Sequence, residues 1–333
     1  MTSEARQDVP SIGVAQVTVQ QFRTTVTLAS AATAIVAVAG LLGYVPGLRI
    51  LGSVRSDYIP MAPSTAGCFV ILALALFFHA RKPWQGTSRL VILVLVLLVT
   101  VFGLLEVVEL FVGRDIGVED RLVPEIGTLG GIPIGRMSPV TGATFIVAGL
   151  GTLLLLLLRP WSPRPAQRLG HWASSLGTLT LLSGATVLLA YLYGTPLMYG
   201  STTVPMAATT AVAFMFLGAA LVAAAGPGSL PTRLVVGDST SARLSRVFLP
   251  LTVALVLLPS VLSRFEPASS VRNHPLFLAV LAIVVGMITV LVVTHMAHAI
   301  GKSLDEANRM LRESEEWHRN IMEKAMVGFW LVD

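Results

Sequence analysis

Two acids stand inside an apolar run. Glu106 and Glu109 lie in "VLVLLVTVFGLLEVVELFV", three residues apart. On a helix that spacing puts them on one face. Ionisable side chains inside a membrane span are costly, and they turn toward a cavity or a partner. Such a pair could bind a cation, sense pH or line a pocket. Alternatively Glu106 pairs with Arg114 or Arg136, and Glu109 reaches up to the interface. Histidines are the next candidates for chemistry. His79, His171, His295 and His298 all fall near one end of apolar runs, and His295 and His298 share a helix face. They are the weak candidates for a haem or metal site between helices. No HExxH or CxxCH motif accompanies them, so no metal or other cofactor is expected in the chain. Interfacial histidines are common without any ligand, and that is the simpler reading of all four. Cys68 is the single cysteine, which excludes an intramolecular disulfide, and it reads as a small buried hydrophobe.

A short polar phrase occurs three times, each time where an apolar run begins: "MAPSTAG" from Met61, "MSPVTGA" from Met137 and "MAATTAV" from Met206. The phrases align as Met61/Met137/Met206, Thr65/Thr141/Thr210 and Phe69/Phe145/Phe214. Proline suits the first turn of a helix, because the N–H it lacks has no partner there. Ser64, Thr65, Thr141, Thr209 and Thr210 are placed to cap the free N–H groups of that turn. Capping and close packing by small residues is one reading. The other has the three helix ends converge on an outer pocket for a small polar or anionic ligand. On that second reading Thr65, Thr141 and Thr210 join Glu106 and Glu109 as ligand-sensing candidates. Tyr193, beside the uncharged loop "GTPLMYGST", and Tyr199, within it, complete the set.

Long apolar runs must position these residues. Of 333 residues, 54% are hydrophobic and 12% charged. Soluble domains carry about 25% charged residues, so the chain reads as an all-α polytopic membrane protein. A spanning helix needs about 20 mostly apolar residues. Eight runs qualify as transmembrane helices, near 26–45, 62–78, 90–112, 139–158, 172–193, 205–225, 247–262 and 276–297. Pro250 and Pro259 interrupt the seventh. The net charge of +5 sits in short loops, which is a pattern of membrane topology and excludes a nucleic-acid-binding face. Arg81, Lys82 and Arg89, then Arg159, Arg164 and Arg168, then Arg233, Arg243 and Arg246 mark three loops as inner. Both termini then lie in the cytoplasm, and each phrase begins an even-numbered helix on the outer side. The unit of odd helix, outer loop, phrase and even helix recurs, so three tandem helical hairpins precede a final pair. The repeats share one orientation, unlike the inverted repeats of common transporters.

The ending differs in kind. From Gly301 the chain reads "KSLDEANRMLRESEEWHRNIMEKAMVGFWLVD", rich in charge. Leu304, Ala307, Leu311, Ser314, His318 and Ile321 follow a heptad spacing, which predicts a signalling helix that pairs with a second copy as a short coiled coil. Leu304, Ala307, Leu311 and Ile321 are its apolar positions. The stretch from "RESEE" at Arg312–Glu316 through Trp317 to "GFWLVD" resembles the linker helix and opening strand of a PAS domain in bacterial sensor proteins. "MSPVTGATFIVAGLGTLLLL" likewise resembles multi-span sensor regions that precede PAS domains in histidine kinases and diguanylate cyclases. The third repeat departs from it, with Ala208 where proline is expected.

The resemblance implies an N-terminal tail over 1–21, a membrane sensor domain over 22–298, a signalling helix over 299–324 and the beginning of a PAS domain over 325–333. It implies a multi-pass protein of the bacterial inner membrane, a homodimer whose partners are the lipid bilayer and a response regulator. The output it implies is a histidine kinase in a two-component system. A diguanylate cyclase or phosphodiesterase, or a transporter with a regulatory tail, are the alternatives. No kinase phosphoacceptor box, ATP-binding glycine box, GGDEF or EAL motif occurs in the sequence, so any catalytic module or PAS cofactor is expected beyond Asp333.

Overall fold

On the helix that carries the two acids, polarity does not separate the inward face from the outward one. On the third apolar run Ile92, Val96, Val99, Thr100, Gly103 and Glu106 are buried. Leu90, Val94, Leu97, Leu98, Val101, Leu104 and Val108 form the exposed face of the same helix, and Phe111 is 84% exposed. Both faces are largely apolar; the leucines and Phe111 lie on the exposed face, and Gly103 and Thr100 on the buried one. That is the arrangement of a helix whose outer face meets lipid and whose inner face must let backbones approach.

The computed structural model describes residues 10–55, 58–81, 86–112, 119, 127–129, 132–157, 167–193, 204–230 and 232, and isolated positions between 244 and 317. Seven helices follow in chain order: α1 (Pro10–Leu42), the short α2 (Arg49–Ser53), α3 (Pro63–Arg81), α4 (Gly86–Val112), α5 (Pro139–Leu157), α6 (Gln167–Leu192) and α7 (Ala208–Ala224). A two-stranded antiparallel ribbon, β1 (Thr128–Leu129) and β2 (Ile132–Pro133), precedes α5, with Thr128 opposite Pro133. Among the described residues five helices are long and apolar enough to cross a membrane: Val19–Leu42 within α1, then α3, α4, α5, and Arg168–Leu192 within α6. The sixth expected span is α7, a shorter apolar helix of 17 residues. The helix α1 starts at Pro10, inside the stretch read as an N-terminal tail. The chain divides into two units, 1–236 and 237–333. The expected seventh and eighth spans lie almost wholly outside the described residues.

Within the first unit the packing closes on itself. The helix α3 packs on α1, α5 on α4, and α7 on α6; α3 also meets α4, α5 meets α6, and α7 meets α1. The helices α3, α5 and α7 touch one another. They bury the same positions in the same register: 61, 65, 69, 72 and 76 on α3 and just before it, then 137, 141, 145, 148 and 152, then 206, 210, 214, 217 and 221. Their partners do likewise. Val26, Thr33 and Ala37 on α1 match Ile92, Val99 and Gly103 on α4 and Ala173, Thr180 and Gly184 on α6, all buried. Thr33 and Thr180, equivalent in this register, each donate a hydroxyl hydrogen bond to the carbonyl four residues back.

Three aromatic rings meet where α3, α5 and α7 touch. Phe69, Phe145 and Phe214 are all 0% exposed. Their ring centroids lie 4.9, 4.6 and 4.9 Å apart, tilted or edge-on. Such contacts add about 0.5–1.5 kcal/mol per pair beyond burial. Two of the neighbouring helices, α4 and α6, approach these rings through glycine. A Cβ on Gly103 would lie 2.6 Å from the carbonyl oxygen of Gly142 and 3.2 Å from Cβ of Phe145. One on Gly184 would lie 2.5 Å from the carbonyl oxygen of Ala211 and 3.1 Å from Cβ of Phe214. The two contacts are the same contact in two repeats.

Phe145→Ala is expected to cost about 3–5 kcal/mol of stability, and Phe69→Ala and Phe214→Ala a similar amount. Gly184→Leu must push a backbone carbonyl aside and is expected to destabilise as much or more. Denaturant titration of the detergent-solubilised chain measures both. A Phe145→Ala variant as stable as the parent would remove the rings from the centre of the fold.

Candidate functional site

The repeated phrase does start a helix in each case, but not through the capping that its hydroxyls suggest. The first helical hydrogen bonds run from Ala66 to the carbonyl of Ala62, from Gly142 to Ser138 and from Ala211 to Ala207. The N-cap positions are therefore Ala62, Ser138 and Ala207. Pro63 and Pro139 occupy the first helical position, where proline is tolerated, and Ala208 takes that place in α7. Ala207 has no side chain to cap with. Ser138 is the one residue of suitable type, and its buried Oγ has no hydrogen-bond partner. Thr65, Thr141 and Thr210 sit three residues further in and are buried one turn before the phenylalanines. Side chains rather than caps fill this layer.

The hydroxyls that do act reach across to the loops that precede the phrases. The Met61 N–H donates to the carbonyl oxygen of Gly52 at 3.1 Å. The Thr209 hydroxyl donates to that same oxygen at 2.9 Å. One acceptor in the loop before α3 thus ties the start of α3 to the start of α7. In the chain between α4 and α5 Glu119 does the same work. Its Oε2 accepts from the Met137 N–H at 2.8 Å, and its Oε1 accepts from the Ser64 hydroxyl. Met61 and Met137 are equivalent in the repeat, and so are Thr209 and Ser64. Each clasp takes the amide of its own phrase and the hydroxyl of a neighbouring phrase. The third clasp cannot be built this way, since residue 140, equivalent to Ser64 and Thr209, is a valine. The loop that would supply its acceptor, 194–203, lies outside the described residues.

Tyrosines close the first and third repeats. The Tyr44 hydroxyl donates to the Met61 carbonyl at 3.0 Å, and Tyr191 to the Met206 carbonyl at 2.8 Å. Tyr191 also meets Tyr58 edge-on at 4.9 Å, and the Arg55 guanidinium lies 5.3 Å from the centre of the Tyr58 ring. In the register of α1, α4 and α6 the matching residue of the second repeat is Leu110, which has no hydroxyl. Glu106 likewise stands where the other repeats have Gly40 and Val187. The second repeat therefore loses its tyrosine and gains a carboxylate.

A cavity of about 120 Å³ opens at that break. It is lined by Glu106, Glu109, Leu110, Glu119, Arg136, Met137, Pro139 and Val204. Glu106 is 6% exposed and Glu119 8%. Three carboxylates and one guanidinium face this space. Burial raises the Glu119 carboxyl above its ordinary value. The bonds from Ser64 and Met137 and the charge of Arg136 oppose that shift, and Glu109 adds to it.

Of the sequence candidates, the structure brings Glu106 and Glu109 together with Arg136. Thr65, Thr141 and Thr210 lie in the packed layer and do not line the cavity. Tyr193 is 40% exposed at the end of α6, away from the cavity lining. Tyr199, His295, His298, Leu304, Ala307, Leu311 and Ile321 lie outside the described residues. His171 accepts a hydrogen bond at Nδ1 from the Leu230 N–H at 2.9 Å. His79 is buried in the last turn of α3. Among the described residues no three His, Cys, Asp or Glu side chains are placed to hold a metal ion. Sequence reasoning missed Glu119, Tyr44 and Tyr191. Glu119 is one acid among several in "RDIGVEDRLVPE" and nothing local distinguishes it. The tyrosines were legible only by carrying the repeat back into the odd helices.

Thr209→Val keeps the shape of the side chain and leaves the Gly52 carbonyl with one donor. It is expected to cost about 1 kcal/mol, as is Tyr191→Phe. Unfolding midpoints of the two variants and their double mutant check this; no loss from either would mean that the outer clasps are ornamental to stability. No family model, curated protein or solved structure matches this chain.

Proposed function

We propose that this chain is the membrane sensor module of a bacterial signal-transduction protein. It would form an eight-helix domain, three tandem hairpins and a final pair, in the inner membrane with both ends in the cytoplasm. The equivalent burial of three helix pairs supports the hairpin repeat. The final pair rests on the sequence alone.

The observation that carries a sensor over a transporter is the filled centre of the helix bundle. Phe69, Phe145 and Phe214 occupy the place where α3, α5 and α7 meet, with ring centroids within 4.9 Å of one another. A carrier of the usual kind keeps its substrate site near that depth, between repeats. Here an acidic cavity lies at the phrase end of α5, beside Glu106 and Glu119. A stimulus acting there would shift the balance between two helix packings. The last span and the 299–324 helix would pass that shift to a PAS domain. In that helix Arg309, Met310, Glu313, Ser314 and Trp317 are helical, and Arg309 pairs with Glu313 at 3.0 Å. A homodimer through Leu304, Ala307, Leu311 and Ile321, and a histidine kinase acting on a response regulator, complete the reading. They rest on the resemblance of "RESEEWHRNIMEKAMVGFWLVD" to PAS linkers.

The complete reading frame, expressed in membranes and supplied with labelled ATP, is expected to give an acid-labile phosphohistidine. Conversion of GTP to a cyclic dinucleotide would instead assign the cyclase output. Solute flux in proteoliposomes, with neither activity, would overturn the sensor reading in favour of transport.

A further inference from the structure

At the end of the bundle away from the phrases, the helix ends from α3 to α7 carry cations and no acids. Arg81 closes α3, Arg89 lies in the first turn of α4 and Arg168 in the first turn of α6. The stretches 58–105 and 126–237, which supply these helix ends, contain no Asp or Glu. Two contacts draw the ends together. The Arg89 guanidinium donates to the Leu156 carbonyl in the last turn of α5 at 3.0 Å. His171 in α6 accepts from the Leu230 N–H, just past α7. We propose that this end is a docking surface for anionic phospholipid headgroups, with Arg81 and Arg89 as its principal contacts and Arg168 as a third.

The two principal side chains are held in place. The bond to Leu156 fixes the half-buried Arg89, and it occupies only part of a fork of five N–H donors. Such a fork matches two phosphate oxygens at once. The Arg81 guanidinium carbon lies 4.6 Å from the centre of the Phe77 ring. Stacking there steadies the group and leaves its N–H edges for an anion. Among the described residues neither guanidinium forms an ion pair with an acid. The surroundings favour a lipid over free phosphate. Leu90, beside Arg89, is 63% exposed, and Leu157, beside the carbonyl that Arg89 holds, is 59% exposed. Trp172, one turn from Arg168, is exposed as well, and tryptophan suits the headgroup level of a bilayer. From Leu90 an exposed apolar stripe runs along α4 through Val94, Leu97 and Val101. A free phosphate would meet the cations alone. A phospholipid sets its headgroup on the guanidinium groups and lays its chains along that stripe.

The test uses the whole chain in detergent, with two readouts. Native mass spectrometry from micelles holding equal phosphatidylglycerol and phosphatidylcholine is expected to show phosphatidylglycerol retained preferentially, less so as salt rises. Arg81→Gln and Arg89→Gln should each weaken that retention about fivefold, the worth of one cation near a lipid surface. Arg89→Lys keeps the charge and should lose less. Arg49→Gln removes an exposed cation at the start of α2, at the phrase end, and should change nothing. The second readout is the melting temperature. Added phosphatidylglycerol should raise it, and glycerol phosphate at the same concentration should not. Equal retention of the two lipids by the parent would overturn the proposal. So would a loss in Arg49→Gln as large as in Arg81→Gln, or equal stabilisation by glycerol phosphate. Arg81 is exposed at its helix end, so Arg81→Gln still decides the matter if Arg89→Gln fails to fold. Both readouts follow bound lipid and the fold, so they are independent of any output activity.

Discussion

Everything in the helix bundle depends on three phenylalanine rings sharing one level. Phe69, Phe145 and Phe214 can pack edge to face only if α3, α5 and α7 hold the same depth and the same rotation. A helix turned by one residue would swing its ring about 100° out of the cluster. The rings therefore fix the register of the three central helices against one another. They also fix what the outer helices must be. Each comes in close behind a ring, and at Gly103 and Gly184 a single methyl group would strike a backbone carbonyl. In lipid no hydrophobic force drives helices together, so this closeness, with its dispersion and its weak hydrogen bonds, is the main source of cohesion.

The layer above the rings repeats the same logic with polar atoms. Loop acceptors clasp neighbouring helix starts, and Tyr44 and Tyr191 fasten two of the three phrases to the helices before them. Departures from the repeat are concentrated on one side. The second repeat has Leu110 for a tyrosine, Glu106 for a small or apolar residue and Glu119 for a backbone carbonyl. Together these changes leave a space and fill its walls with charge. A duplicated frame with one altered unit gives a rigid scaffold and a local weak point in the same fold. That combination suits the proposed sensor, because a stimulus needs a place where little free energy separates two packings.

The sequence by itself determined the class of the protein. Too few charges and too many long apolar runs leave no soluble solution, and described helices fall on the expected runs because a membrane forces backbone groups to pair within a helix. It also determined the repeat, since Met, Thr and Phe recur at matching places that the structure then buries alike. Glu106 was legible as an acid in hydrocarbon. What only the tertiary structure decided was partnership. The hydroxyls of the phrase belong at a helix start by local chemistry, yet Ser64 and Thr209 turn to acceptors in loops far along the chain. Glu119 is separated from Ser64 by 55 residues and looks like any loop acid until folding buries it. Local pattern reports which face a residue lies on, because that follows from the period of one helix. Which atoms meet across helices depends on the depth and rotation of several elements at once, and three rings set that only when the whole bundle has formed.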